Sequence, residues 1–179
     1  RVNGLWVWTG ITIPRWNNGQ LWMVNIRRPK PQTTGGQDEY QKYQMIAGSN
    51  LKGTLYGGDD IRAGVPVIFT EGEFDALIVR QIFNICVSTG TVPTMPAIPV
   101  TLGSSTNTLH ERWFSALLGV PVIWDMCDND SAGLKASKKL GAISKRVKHL
   151  PAPGAMKDVN DWYKENYWNH PAIQVWLES

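Results

Sequence analysis

The sequence lacks most features of secreted, zinc-binding and membrane proteins. Its 179 residues contain only two cysteines, Cys86 and Cys127, which are too few and too isolated for a disulfide framework or a zinc site. Both lie in apolar runs, so we expect buried, reduced thiols. No apolar run approaches the roughly 18 residues that a membrane span needs, and no signal peptide is visible. We therefore expect a cytoplasmic protein without a membrane partner.

A large excess of either charge is also lacking, because 18 Lys and Arg residues are nearly balanced by 15 Asp and Glu residues. The net charge of +3 neither identifies nor excludes a class of partner. The distribution is more informative, since basic residues concentrate in residues 27–52 and most acids follow in residues 71–161. A basic stretch followed by spaced carboxylates is typical of proteins that handle a polyanion beside a metal ion.

Length and composition favour one medium-sized domain with a small appendage. We predict a smaller, basic subdomain of mixed α/β structure in residues 1–64, an α/β domain in residues 65–165 and a C-terminal segment in residues 166–179. The chain begins at Arg1 rather than Met, so we expect it to be a fragment of a longer protein.

Short apolar runs alternate with segments of helical periodicity after residue 65. The predicted strands cover residues 67–70, 85–87, 120–124 and 146–150. The predicted helices cover residues 74–83, 110–118, 131–143 and 159–165, and a long loop is predicted for 88–108. Because strands that alternate with helices form βαβ units, we predict a mainly parallel sheet with helices on both faces. Before it, the turn Asn17-Asn18-Gly19 is predicted to join two strands, whereas residues 41–64 have no clean period.

Acidic residues follow three of the predicted strands. Glu71 comes directly after the first strand, and Asp75 follows it by one helical turn. Asp128 and Asp130 come after the third strand, and Asp158 comes after the fourth. Because the carboxyl ends of parallel strands meet at one edge of a sheet, we expect these side chains to converge. Solvated acids after strands are common, but their joint occurrence in this order favours a functional site.

Carboxylates that lie close together raise one another's pKa, and a divalent cation removes that cost. Oxygen ligands without a neighbouring His or Cys favour Mg²⁺ or Mn²⁺ over zinc. Such a site is suited to phosphoryl or nucleotidyl transfer.

The acidic motifs resemble those of the Toprim superfamily. Residues 71–77, EGEFDAL, resemble the primase form E-G-x-x-D-x-L. Residues 128–133, DNDSAG, resemble D-G-D-x-A-G with Asn129 in place of the glycine. Residues 157–161, KDVND, resemble the late K-D-x-N/D element. The resemblance implies a Rossmann-like Toprim fold in which Glu71, Asp128 and Asp130 are catalytic metal ligands, supported by Asp75 and Asp158.

The segment before residue 66 resembles the DnaG-type primase family within this superfamily. Residues 13–28 resemble its stretch I-x-x-P-I-x-D-x-x-G-x-V-x-G-F-x-x-R, and residues 50–57, NLKGTLYG, resemble x-F-x-K-G-x-x-L-Y-G. Lys42-Tyr43 resembles P-K-Y-x-N without its proline and later asparagine. The resemblance covers roughly residues 11–165. The departures at Asn129 and Lys42-Tyr43 favour a remote branch, such as a phage or mobile-element primase.

This resemblance implies a DNA primase, a nucleotidyltransferase that synthesises RNA primers on single-stranded DNA from ribonucleoside triphosphates during DNA replication. It implies Mg²⁺ or Mn²⁺ as cofactor and a replicative helicase, fused or separate, as partner. The alternatives are a Toprim nuclease or topoisomerase-type enzyme, and a Toprim module that binds nucleic acid without catalysis. The primase-like front segment argues against the former, and the three main acids argue against the latter.

The resemblance also implies that Arg27, Arg28, Lys42 and Lys52 bind nucleic acid or nucleotide, with a solvated basic face as the alternative. Whether Arg27 or Arg28 points toward the nucleic acid stays open, because neighbouring strand residues point to opposite faces. Asp125 lies outside the motif pattern, and we favour a hydrogen-bonding role at the strand end over a further metal ligand.

Tryptophan is abundant, with nine residues in all and four within the first 22, namely Trp6, Trp8, Trp16 and Trp22. Aromatic residues in strands usually pack in a core or on a sheet face. Stacking on single-stranded bases is the functional alternative.

Overall fold

The computed structural model describes residues 7–29, 41–92, 94, 96–104, 106–128, 131–151, 156 and 158–166. Its strands are Ile11–Asn17 (β1), Gln20–Arg27 (β2), Tyr43–Met45 (β3), Val67–Thr70 (β4), Ile98–Thr101 (β5), Ile123–Met126 (β6) and Val147–His149 (β7). Its α-helices are Glu73–Ser88 (α1), Phe114–Leu118 (α2), Ser131–Gly141 (α3) and Val159–Asn166 (α4), and two 3-10 turns cover Gly58–Asp60 and Glu111–Trp113. No helix in these described ranges is long and apolar enough to cross a membrane.

A four-stranded parallel sheet with the order β5-β4-β6-β7 forms the centre of the fold. Alternating side chains of β4 point into two apolar layers, because successive strand residues point to opposite faces. Ile68 packs with helices α1 and α4 on one face. Val67 and Phe69 pack with α2 and α3 on the other face. The predicted α/β class, with helices on both faces of a parallel sheet, is confirmed.

The strand order changes direction at β4. The chain passes from β4 through α1 to β5 on one side, and then crosses through α2 to β6 on the other side of β4. In open α/β sheets the ligand crevice lies outside the carboxyl ends of the strands at such a switch point. Glu71 directly follows β4 and Asp128 follows β6 by one residue, so the topology brings the first two acidic motifs to this position.

Two predicted elements of this sheet were wrong. Residues 85–87 belong to α1, because Ile82, Phe83 and Cys86 continue its buried stripe at helical spacing. A three-residue apolar run is compatible with a helix or a strand, and packing against the core decides between them. The second strand is instead β5, which lies inside the predicted loop 88–108. Its Pro99 lacks an N–H donor and is accommodated because β5 is an edge strand.

The third strand of the sheet was predicted too close to the N-terminus. It covers Ile123–Met126 rather than residues 120–124. Val120 is still bound to the end of α2, since its N–H donates to the carbonyl of Leu117. Asp125 consequently lies within the strand rather than after it.

The N-terminal residues form a three-stranded antiparallel sheet with the order β1-β2-β3. The predicted hairpin is confirmed, with Asn18-Gly19 between β1 and β2. Strand β3 was not predicted. Along β1, alternate residues Ile13, Arg15 and Asn17 are buried. The predicted boundaries at residues 64 and 165 stay predictions.

Ile82 on α1 is fully buried in the layer shared with α4. We expect Ile82→Ala to lower the free energy of unfolding by about 2–5 kcal/mol, because it removes apolar contacts and leaves a cavity. Leu134 on α3 is 58% exposed, so Leu134→Ala should change this free energy by less than about 0.5 kcal/mol. Urea unfolding followed by circular dichroism measures both, and equal losses would contradict the assignment of Ile82 to the core.

Candidate active site

A polar crevice of about 560 Å³ lies at the carboxyl edge of the parallel sheet, where the antiparallel sheet approaches it. Its acidic lining residues are Glu71, Glu73, Asp75, Asp128, Asp158 and Asp161. Its basic lining residues are Arg27, Lys42 and Lys164. Arg27 and Lys42 belong to the antiparallel sheet and its approach, whereas the acids and Lys164 come from strand ends and helices of the parallel-sheet part of the chain.

Four of the five predicted metal ligands line this one crevice. Glu71 follows β4, Asp75 lies in the first turn of α1, Asp128 follows β6 and Asp158 precedes α4. The convergence expected from the strand ends is therefore present. The fifth predicted ligand, Asp130, lies outside the described residues. The roles of these residues as ligands stay predictions.

Asp75 accepts a hydrogen bond on each of its two carboxylate oxygens. The backbone N–H of Gly72 donates to its Oδ2 atom at 3.1 Å, which closes the first turn of α1. The side-chain amide of Asn160 on α4 donates to its Oδ1 atom. Burial above all, and then the Asp158 carboxylate, raise the pKa of Asp75 from 3.8 to about 6 against these two hydrogen bonds, and Glu71 raises it as well.

Asp158 directly precedes α4 and caps its N-terminus. Its Oδ1 atom accepts a hydrogen bond from the backbone N–H of Asp161 at 2.8 Å, which is an N-terminal helix cap. Asp161 in turn forms an ion pair with Lys164 at 2.7 Å, and Lys164 brings a cation to the crevice. Asn160 was missed as a site residue, although its motif position N/D was recognised.

Gly133 in the first turn of α3 lies directly against the backbone of Asp128. A Cβ atom on Gly133 would lie 2.0 Å from the carbonyl oxygen of Asp128, so the first turn of α3 can lie over that carbonyl only with glycine at this position. The glycine of the DNDSAG motif therefore fixes the path of the chain that carries Asp128.

The carboxylates of the crevice fit a hard divalent cation by their chemistry. Asp75 is raised in pKa by two neighbouring carboxylates, and a cation would relieve this repulsion. Within the described residues, no group of three His, Cys, Asp or Glu side chains could hold a metal ion by itself. Mg²⁺ commonly uses only one or two carboxylates and keeps several waters. Glu71 and Asp128, together with Asp130, are the residues that would hold it.

Asp125 has the hydrogen-bonding role that the sequence favoured. It is buried in β6, accepts a hydrogen bond from the backbone N–H of Cys127 at 3.3 Å and lies 3.5 Å from Nδ1 of His149. The pKa of the Cys127 thiol is raised mainly by burial and further by Asp125. Burial also raises the pKa of Cys86. Both cysteines are free and buried, as expected.

The basic residues of the antiparallel sheet are oriented by aromatic rings. The guanidinium of Arg27 lies 4.2 Å from the ring centre of Phe74 on α1 and donates a hydrogen bond to the Tyr43 hydroxyl at 3.0 Å. Arg28 lies 4.2 Å from the ring centre of Trp8. Arg27 and Lys42 line both the acidic crevice and an adjoining groove of about 680 Å³. Arg28 lines the groove but not the crevice. Lys52 lies apart from both.

Comparisons with known proteins decide the fold. No protein-family model and no curated protein matches the sequence. The primase fragment of the bacteriophage T7 primase-helicase protein matches with a TM-score of 0.64 and 20% identity, over 92% of this chain and 62% of that chain. The zinc-binding and RNA polymerase domains of the Aquifex aeolicus primase match with a TM-score of 0.61 and 19% identity, over 93% and 39% of the two chains.

The chain has the fold of a DnaG-type primase core. A further match is a DnaG primase catalytic domain bound to single-stranded DNA, with a TM-score of 0.57 and 14% identity over 93% of this chain and 51% of that chain. At these identities the likeness establishes the fold. The chain spans less than two thirds of each of these three structures.

A buried ion pair joins the antiparallel sheet to helix α1 in this primase fold, and it was missed by sequence reasoning. The NH2 group of Arg15 on β1 lies 2.6 Å from Oε1 of Glu73 on α1, and both side chains are 2% exposed. Asn25 on β2 donates a second hydrogen bond to the same oxygen at 3.3 Å. Gly103 after β5 allows the approach, because a Cβ atom there would lie 1.8 Å from Arg15 NH2. An arginine among the inward-facing residues of β1 was the available signal.

We expect Arg15→Met to lower the free energy of unfolding by about 3–5 kcal/mol, because it leaves the buried Glu73 carboxylate without its cation. The double variant Arg15→Met/Glu73→Gln should lose less than Arg15→Met alone, since no buried charge remains. A double-mutant cycle by urea unfolding measures the coupling. If the losses of the two single variants add up to the loss of the double variant within about 0.5 kcal/mol, the coupling between Arg15 and Glu73 is contradicted.

The raised pKa of Asp75 predicts a pH dependence of stability in metal-free protein. A carboxyl whose folded pKa of about 6 exceeds its ordinary 3.8 binds its proton more tightly in the folded state. Its contribution to stability therefore falls as pH rises from 3.8 through 6, by about 3 kcal/mol in total. Asp75→Asn should flatten the curve of unfolding free energy against pH in this window, measured in chelator. If Asp75→Asn leaves the slope of unfolding free energy against pH unchanged, the raised pKa of Asp75 is contradicted.

Proposed function

We propose that this chain is the Toprim catalytic core of a DNA primase, a nucleotidyltransferase that synthesises RNA primers on single-stranded DNA. The observation that carries the proposal is the crevice in which acids of the parallel sheet lie opposite cations of the antiparallel sheet. Its position at the carboxyl edge of a primase fold supports the same conclusion. A crevice lined by both acidic and basic side chains suits a reaction between a nucleoside triphosphate and a hydroxyl. The basic side chains would bind the phosphates, and the acidic side chains would bind the metal ion.

In the proposed reaction, the 3′-hydroxyl of one ribonucleotide loses its proton and attacks the α-phosphate of the next, which releases pyrophosphate. Glu71, Asp128 and Asp130 would hold Mg²⁺ or Mn²⁺, which when bound neutralises the triphosphate and lowers the pKa of the hydroxyl. Asp75 and Asp158 support this edge of the sheet through the starts of α1 and α4.

The basic residues of the chain itself would position the phosphates. Arg27 and Lys42 line the acidic crevice and would contact the triphosphate, because Lys164, the other cation of the lining, is paired with Asp161. Arg28 lines the adjoining groove and would contact the phosphates of the template. Lys52 is proposed as a contact further along the template.

The proposed partners are a single-stranded DNA template, ribonucleoside triphosphates and a replicative helicase, fused or separate. One matched protein is a primase-helicase and another is a primase bound to single-stranded DNA. The proposed location is the cytoplasm, where such a reaction has access to template and nucleotides.

Primer synthesis tests the proposal directly. The full-length protein is incubated with single-stranded DNA, labelled ribonucleotides and Mg²⁺ or Mn²⁺, and we expect short RNA products. Asp128→Ala should lower the yield by about 100-fold or more, because it removes a metal-holding carboxylate. Glu165→Gln on α4 is the matched control, since it removes an exposed carboxylate outside the crevice lining.

A second readout separates metal binding from catalysis. Mg²⁺ that binds the folded protein raises its melting temperature by mass action, and Asp128→Ala should abolish this rise. Cleavage or relaxation of DNA by the wild-type protein, without RNA products, would reject the primase proposal in favour of a nuclease or topoisomerase.

A further inference from the structure

A second cluster of basic and aromatic residues lies outside the acidic crevice and its adjoining groove. Three segments meet there, because the N–H of Asn50 donates to the carbonyl of Trp22 at 2.8 Å, and the indole N–H of Trp113 donates to the carbonyl of Gly53 at 2.8 Å. Residues 50–53 thus connect β2 with the 3-10 turn Glu111–Trp113. The cluster formed by Trp22, Lys52 and Arg112 is called the stacking cluster.

Arg112 and Trp22 form a layered platform in this cluster. The guanidinium carbon of Arg112 lies 4.2 Å from the ring centre of Trp22, which is the distance of a stacked cation–π pair. Trp22 is half-buried and Arg112 is exposed, so the ring covers one face of the guanidinium. Because Arg112 is exposed, its guanidinium plane is a surface on which nucleobases could stack.

Lys52 supplies a phosphate partner beside this platform. It is exposed and directly precedes Gly53, whose Cβ position lies 3.2 Å from Nε of Arg112. Single-stranded nucleic acid is bound by this combination, in which rings or guanidinium planes hold bases and nearby cations hold the backbone.

The charges of the stacking cluster are not neutralised by ion pairs. Other arginines are engaged by acids, since Arg15 pairs with Glu73 and Arg80 pairs with Asp60. Within the part of the chain that the structure describes, no ion pair involves Arg112 or Lys52. Arg112 instead lies over the ring of Trp22. Glu111 is the adjacent acid and is also exposed.

We infer that the stacking cluster binds a base and phosphate of the single-stranded template at a distance from the acidic crevice. This inference rests on the proposed function. The cluster is linked to the crevice, because Thr54, two residues after Lys52, accepts a hydrogen bond from Arg15 at 3.4 Å, and Arg15 pairs with Glu73. The template is the assigned strand because it extends beyond the crevice, whereas a primer is short at the start of its synthesis.

Equilibrium binding of a fluorescently labelled 30-nucleotide single-stranded DNA by the full-length protein tests the inference. The measurement is made in chelator without ribonucleotides, so that it does not depend on catalysis. We expect Arg112→Ala to weaken binding by about 5- to 100-fold, which is the effect of losing one stacked base. Lys52→Ala should weaken binding less and lower the slope of log affinity against log salt by about 1.

A control variant in the same 3-10 turn is expected to change DNA affinity in the opposite direction. Glu111→Gln removes the adjacent negative charge, and we expect it to tighten DNA binding. Weaker binding for both Arg112→Ala and Glu111→Gln would identify a disturbance of the turn and overturn the inference. Unchanged urea midpoints are required of both variants, and Arg112→Lys, which keeps the charge without the plane, replaces Arg112→Ala if the latter is unstable.

The outcomes separate this inference from the proposed function. If Arg112→Ala binds DNA as tightly as the wild-type protein, the stacking cluster is rejected, whatever primer synthesis shows. If Arg112→Ala weakens only the binding of a 30-nucleotide RNA, the assignment to the template is overturned. If primer synthesis fails in the wild-type protein but Arg112→Ala still weakens DNA binding, the cluster stands and the primase proposal falls.

Discussion

The Arg15–Glu73 ion pair is the interaction on which the geometry of the crevice depends. Glu73 lies between Glu71 and Asp75 in sequence, and its side chain turns away from solvent to reach β1. Burial of two charges costs several kcal/mol for each ion, and their attraction offsets this cost only with good geometry and further hydrogen bonds. Asn25 and the carbonyl of Leu102 supply such bonds at 3.3 and 3.1 Å. The pair therefore fixes position more than it adds stability.

The crevice exists only where two differently built units meet. The parallel sheet supplies acids at its carboxyl edge, as its topology requires. The antiparallel sheet and its approach supply Arg27 and Lys42, and Arg27 lies over Phe74 on α1 as well as over Tyr43 of its own sheet. A shift of one sheet against the other would separate these charges. The buried ion pair and this cation–π contact both oppose such a shift, because each joins a strand of the antiparallel sheet, β1 or β2, to the first turn of α1.

Sequence reasoning predicted the parts of the fold that depend on local pattern. Glu71 and Asp128 were placed correctly because each follows a short buried strand, and strand ends converge in a parallel sheet. The strand β5 was missed because residues 88–108 are rich in Thr, Pro, Ser and Gly, which favours a loop, and its edge position makes Pro99 acceptable in a strand. The Arg15–Glu73 pair was missed because its partners are 58 residues apart. Register between the two sheets decides such a contact, and no local pattern contains that information.

The late acidic motif has a structural relation to the first that neither motif reveals alone. Asn160 in the first turn of α4 donates to Asp75 in the first turn of α1, and Tyr163 of α4 receives a hydrogen bond from Gln81 of α1 at 3.2 Å. Two helix starts are thus tied together beside the crevice. Their N-terminal N–H groups favour negative charge, which offsets part of the repulsion among the carboxylates. The late motif therefore helps to pack α4 on α1, in addition to any ligand that the two motifs share.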